Sequence, residues 1–234
     1  MKNWFKNLFS TSAIVISGSV VMGDVVVGNS NVSAGSFNSN DLKNLGSVIS
    51  QTRDVTAFNK IDTSGVIDVQ FIQGEKLSLV VEAQEGVLNK IKTNVENGTL
   101  VITTENNFFS NKKSVIKVTS PSPLTHIKNK GVGDFKASGI KTTNLELDFS
   151  GTGDLTLEGQ AESASLTIKG VGDVNAKKFS VKNMEINSNG TGDISLKVTE
   201  TISGTIKGVG DTDVYGSPRN SGLKSKGVGD LEFH

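Results

Sequence analysis

The tetrapeptide Gly-[Val/Thr]-Gly-Asp occurs six times in the second half of this 234-residue sequence, beginning at Gly131, Gly151, Gly170, Gly190, Gly208 and Gly227. The intervals are 20, 19, 20, 18 and 19 residues. A period this steady confines the chain to architectures in which one supersecondary unit stacks on the next. Positions counted from each Asp show how a unit is built. One residue after it stand Phe135, Leu155, Val174, Ile194, Thr212 and Leu231, and three after it Ala137, Leu157, Ala176, Leu196, Val214 and Phe233. Upstream, Leu145, Leu147 and Phe149 continue the same odd parity, as do Ala164, Leu166 and Ile168 in the next copy. Period two identifies strands with one buried face.

The parity runs through the motif itself. Gly131 and Gly133, Gly151 and Gly153, Gly170 and Gly172, Gly190 and Gly192, Gly208 and Gly210, and Gly227 and Gly229 all fall on the inward phase. They are expected to form a structural corner, where a side chain would obstruct a sharp bend of the backbone. The outward phase carries Lys130, Ser150, Lys169, Asn189, Lys207 and Lys226 before the motif, so Lys-Gly-Val-Gly-Asp alternates with Ser/Asn-Gly-Thr-Gly-Asp until the last pair. A two-coil duplication, or the spreading of like charges along a stack, accounts for that alternation. The fold expected is all-β: a parallel β-helix-like solenoid with coils of about 19 residues. Sandwich strands would not share one register; propeller blades need about 40 residues each and more copies than the sequence holds, although the two-coil superperiod of about 39 residues leaves the propeller as the second reading.

Composition agrees with strands, since glycine is abundant (26) and proline scarce (3). Acidic and basic residues balance at 24 each, and the arginines are Arg53 and Arg219. Nucleic acid is therefore not an expected partner. The absence of cysteine removes disulfides and thiolate metal sites. No apolar run approaches the roughly 20 residues of a membrane-spanning helix. Residues 1–23 have two readings: a diluted secretory signal, with Lys2 and Lys6 ahead of the patchy apolar stretch Leu8 to Met22, or a capping helix with Trp4, Phe5, Leu8 and Phe9 on one face. The domain division expected is 1–50, a signal-like or capping segment with a Ser/Asn/Gly-rich linker, and 51–234, the solenoid with a less regular β region at its start. A weak copy of the coil lies at Gly23 to Val27.

Within the less regular region, Gly65 to Phe71 reproduces the phase of the coil, with Val69 and Phe71 at the core positions and Ile67 in place of the second glycine. Leu77 to Val81, Thr99 to Thr103 and Ser114 to Val118 read as strands, with Asn97-Gly98 a tight-turn signal and Gly86 to Asn94 a short helical turn. Phe58 to Ile61, the Gly65 to Phe71 segment, "LSLVVEA", "VENGTLVIT" and the serial Gly-x-Gly-Asp coils together resemble the bacterial head GIN domain family, labelled putative auto-transporter adhesin. The likeness covers roughly residues 55–234. It implies a right-handed β-helix-like solenoid, a cell-envelope or exported location, and no established enzymatic activity. A membrane barrel of its own after the solenoid is not expected in this sequence.

Six tandem copies rule out a phosphate loop, which needs one glycine-rich turn between a strand and a helix, followed by Lys-Ser/Thr. A cation ladder on Asp134, Asp154, Asp173, Asp193, Asp211 and Asp230 is a second reading of the motif. One carboxylate per coil is thin coordination for calcium, which takes six to eight oxygens, and the first reading is that each Asp hydrogen-bonds free turn amides. Catalysis needs one asymmetric constellation, and neither His126 nor His234 stands in a nucleophile context. No catalytic residue, metal or cofactor is expected. The function expected is a non-catalytic cell-envelope scaffold or adhesin-like module whose partner is a glycan or a surface protein; the alternatives are a β-helical polysaccharide lyase or hydrolase, and a cytoplasmic location. Self-association through the solenoid ends is a further expectation.

Overall fold

The computed structural model describes residues 13–16, 19–22, 45–105 and 110–234. The elements, in chain order, are β1 (Ala13–Ile16), β2 (Ser19–Met22), β3 (Val48–Arg53), β4 (Lys60–Thr63), β5 (Asp68–Gln73), β6 (Ser78–Gln84), a 3-10 helix (Glu85–Lys90), β7 (Ile91–Glu96), β8 (Thr99–Thr104), β9 (Val115–Ser120) and β10 (His126–Asn129). They continue with β11 (Phe135–Phe149), β12 (Leu155–Ile168), β13 (Val174–Ser188), β14 (Ile194–Ile206), β15 (Thr212–Tyr215), β16 (Asn220–Ser225) and β17 (Leu231–Phe233). β1 and β2 pair with each other as an antiparallel hairpin. The expected helix at Trp4 to Phe9 and the weak coil at Gly23 to Val27 lie outside the described residues.

The rest is a β-solenoid of about 5 turns whose coils lie about 20 residues apart. β11 to β14 stack in parallel with equivalent residues in register: Phe135 on Leu155, Leu155 on Val174, Val174 on Ile194. The sequence parity explains why. Each coil buries the same odd positions, so only one register stacks apolar residue on apolar residue. Phe135, Leu155, Leu157 and Leu196 are fully buried, and Leu145, Leu166 and Ile186 continue the core along the second half of each coil. Bulges interrupt the ladder between Ala137 and Ile140, Thr156 and Glu158, and Ala176 and Ser180. They bend each long strand and absorb the variation in coil length.

The final coil departs from the expected pattern. Leu231 is only half-buried and Phe233 is 46% exposed, although both stand at core positions of the repeat. Among the described residues no further coil covers β17, so the phase that buries side chains elsewhere leaves these against solvent.

The start of the solenoid has a less sequential order. The coil of β4 and β5 is flanked on one side by β10 and β11 and on the other by β8 and β9, all parallel to it. Phe71 thus pairs with Ala137 above and Val118 below. Beyond this first rung the chain turns antiparallel: β6 lies between β9 and β3, and β7 lies on β8 through the Asn97-Gly98 turn, whose φ values are 50° and 73°. β3 begins at Val48, just ahead of the division at residue 51. Arg53 locks this end. Its guanidinium donates to the carbonyls of Ile91 at 2.7 Å and Leu88 at 2.8 Å and to Thr93 Oγ1 at 3.2 Å. Burial holds its pKa below the usual arginine value.

Candidate functional site

The corner is built by backbone contact along the stack. Gly153 has φ +134° and Gly172 φ +143°, a region that side chains rarely enter. A Cβ on Gly153 would overlap the carbonyl oxygen of Gly133, and one on Gly151 that of Gly131. The inward parity of the glycines therefore has a different cause from the one expected: what excludes a side chain is the neighbouring coil lying directly against the corner. That closeness lets the corner continue the hydrogen-bond ladder. Thr152 N–H donates to Gly131 O at 2.9 Å, Gly153 N–H to Val171 O at 2.9 Å, and Leu155 N–H to Asp173 O at 2.9 Å.

The Asp side chains complete this ladder. Oδ1 of Asp134 accepts the backbone N–H of Asp154 at 3.1 Å, and the pattern recurs from Asp154 to Asp173, Asp173 to Asp193, Asp193 to Asp211 and Asp211 to Asp230 at 2.9–3.0 Å. The row begins one coil earlier than the motif search found. Asp68 Oδ1 accepts Asp134 N–H at 3.0 Å. Ile67 hides that copy from a glycine-based search, whereas the phase of Gly65 to Phe71 reveals it. Each Asp from Asp68 to Asp211 thus commits Oδ1 to the amide of the next Asp in the row. At the first interval the other oxygen, Oδ2, meets Lys113, whose Nζ lies 3.2 Å from Asp68 Oδ2 and 3.8 Å from Asp134 Oδ2. The hydrogen bond to Asp68 is the main cause that raises the Lys113 pKa above its ordinary value.

A second candidate lies past the bulges, where the coils bend. A groove of about 810 Å³ runs across β11, β12 and β13, lined by Gln73, Lys141, Thr142, Gln160 and Glu162 among others. It meets a second depression of about 430 Å³ at Thr125 and Asn144. The walls are ordered by specific bonds. The Gln73 side-chain amide bridges to the backbone of Lys141, accepting its N–H at 2.9 Å, and Lys182 Nζ lies 2.9 Å from Glu162 Oε1. In the second depression, Ser163, Asn183 and Thr201 lie in one register row, and Thr201 Oγ1 donates to Asn183 Oδ1 at 2.7 Å. Hydroxyls and amides therefore recur at the strand spacing of about 4.8 Å. The histidines stand apart. His126 Nδ1 is 3.1 Å from Glu146 Oε2, and His234 Nε2 is 2.8 Å from Asp213 Oδ1. Among the described residues neither imidazole is hydrogen-bonded to a side-chain hydroxyl.

In-register coils, a glycine corner and a groove lined by residues of successive coils define a repeat-built, all-β solenoid. The comparisons carry this to a family. The family profile described as "Putative auto-transporter adhesin, head GIN domain" matches residues 57–218, and the chain belongs to that family. It is also similar to the crystal structure of a putative adhesin from Bacteroides fragilis NCTC 9343, with 30% identity and a TM-score of 0.66 over 80% of this chain and 97% of that one. A putative adhesin from Parabacteroides distasonis ATCC 8503 matches at 18% identity and a TM-score of 0.46, over 80% of this chain and 98% of that one. No curated protein matches the chain. No helix among the described residues is long and apolar enough to cross a membrane.

Proposed function

We propose that this protein is a non-catalytic binding module of the cell envelope that holds an extended, hydroxyl-rich polymer, a glycan, along the polar groove. The observation that carries this reading is that two neighbouring depressions, which share Thr125 and Asn144 in their walls, are lined by residues of successive coils. A groove whose donors and acceptors repeat with the coil matches a ligand that is itself a repeat. Each rung adds a weak contact, and affinity accumulates through their number. None of the groove residues is aromatic, so recognition rests on hydrogen bonds and on the charges of Lys141, Glu162 and Lys182. Membership of an adhesin family supports the same reading and an exported or cell-envelope location.

The test is a polysaccharide array probed with the full chain, combined with a reducing-end assay on every polysaccharide that retains it. The expected result is retention without release of reducing ends, weakened when Asn144→Ala and Gln160→Ala are combined. Release of reducing ends that one carboxylate substitution abolishes would establish the carbohydrate-active enzyme instead.

A further inference from the structure

Asp213 and Glu232 are register partners on β15 and β17, and both point outward. Two carboxylates directly opposite on neighbouring strands repel one another. His234, two residues after Glu232, reaches both carboxylates. His234 donates its backbone N–H to Val214 O at 2.9 Å, which extends the ladder beyond β17 and fixes where its side chain starts. Its ring lies flat on Tyr215, with centroids 4.6 Å apart and planes 16° from parallel. Tyr215 is itself held by Lys177, whose Nζ sits 4.8 Å from the ring centroid. Stacked in this way, the imidazole turns Nε2 toward both acids, 2.8 Å from Asp213 Oδ1 and 3.8 Å from Glu232 Oε2. All three ligand atoms lie within 4.8 Å of one another.

We propose that Asp213, Glu232 and His234 form a divalent transition-metal site, of the zinc class, on the last coil of the solenoid. Tetrahedral zinc with bonds of about 2.0–2.1 Å places its ligands about 3.3 Å apart. The two separations measured from Nε2, 2.8 and 3.8 Å, bracket that value, and with all three atoms within 4.8 Å of one another a closing movement of up to about 1.5 Å between the exposed side chains would seat an ion. The donor set selects the class. One imidazole with two carboxylates suits zinc, cobalt or nickel, whereas copper(I) wants thiolates and calcium wants six to eight oxygens. The fourth position faces solvent, beside the exposed Glu232 and His234. The site differs in kind from the Asp ladder of the corner, because an imidazole fixed by ring stacking contributes a ligand that the repeat does not. It is also independent of the glycan reading. A bound ion would tie β17 to β15 and secure a coil that leaves Phe233 exposed.

The experiment is a calorimetric titration of the untagged full chain with Zn2+, paired with Co2+ absorption spectroscopy. The expected results are one ion per chain, a Co2+ spectrum of low coordination number, and affinity falling at least about tenfold in His234→Ala and in Asp213→Asn. Tyr215→Leu keeps all three ligands and is expected to lose roughly tenfold by freeing the ring, in the manner of other groups that orient a ligand. Urea unfolding of the metal-free variants separates a lost ligand from a lost fold. Absence of saturable binding, unchanged affinity in His234→Ala, several ions per chain without dependence on His234, or equal affinity for Ca2+ would each overturn the proposal.

Discussion

Asp173 Oδ1 accepts the backbone N–H of Asp193, one coil away, at 2.9 Å. The same bond links every neighbouring pair in the row, so the Asp of each motif serves the coil that follows it. Asp173→Ala is expected to destabilise the fold by about 1 kcal/mol, the net worth of an exposed hydrogen bond with its partner left to water. Asp173→Asn keeps the Oδ1 acceptor and removes one of a line of like charges at strand spacing, so its stability is expected to stay within about 0.5 kcal/mol of the parent. Urea unfolding of the two variants checks this, and an Asn variant as damaged as the Ala variant would show that charge rather than geometry holds the row.

Two glycines separate contact from composition. Gly172 has φ +143°, and a Cβ on it would overlap Gly153 O; Gly222 on β16 would place its Cβ no nearer than 3.6 Å to any neighbour. Gly172→Ala is therefore expected to cost more than about 3 kcal/mol through backbone strain and steric overlap. Gly222→Ala is expected to be nearly neutral, with any effect of about 0.5 kcal/mol. Thermal melts of the pair under one buffer give the comparison.

Thr212 occupies a core position, 2% exposed, and its Oγ1 has no hydrogen-bond partner among the described residues. Its register neighbours are Ile194 and Leu231. Thr212→Val replaces the orphaned hydroxyl by a methyl of nearly the same size and is expected to raise stability by about 1 kcal/mol. A lower urea midpoint in the variant would mean that the hydroxyl has a bonded water.

Lys113 supplies a pH test with a definite sign. Its folded-state pKa lies above the ordinary value of 10.5, chiefly through Asp68, so the pair adds stability below about pH 10.5 and loses it as pH rises through the folded value. The ammonium is largely exposed, and solvent screening holds the contribution below about 1 kcal/mol. Lys113→Met is expected to lower stability slightly at neutral pH, and the gap to the parent to close above about pH 10.5 and in high salt. A gap that persists at alkaline pH would assign the effect to packing of the side chain.

The repeat was legible because each coil obeys local rules. Phe135, Leu155, Val174 and Ile194 announce one buried phase, and the intervals between motifs announce a stack. What the sequence withheld depends on contacts between distant segments. Nothing local tells that β8 and β9 lie beneath β4 and β5, because a parallel partner carries no turn signature. The glycines pointed to a corner, but their physical reason came from the carbonyl of the coil below. The groove was illegible for a related reason: no local signal marks Ser163, Asn183 and Thr201, which meet in one row only through the register of the stacked coils. His234 likewise showed only the lack of a nucleophile context, since its meeting with Asp213 depends on a register that only the stacked coils define.

The placement of β4 and β5 between two later segments has a consequence for the order of assembly. Residues 60–73 are hydrogen-bonded on both edges to strands that follow them in the chain, so the first coil synthesised cannot be completed first. It waits for β8 and β9 to fold back on one side and for β10 and β11 to arrive on the other, a closure across tens of residues and the slow, high-contact-order step of this topology. Once that junction exists, each further coil docks on a finished edge only one repeat away. The protein is thus expected to nucleate near its middle and then lengthen in one direction, with the C-terminal coil the last to join and the first to fray.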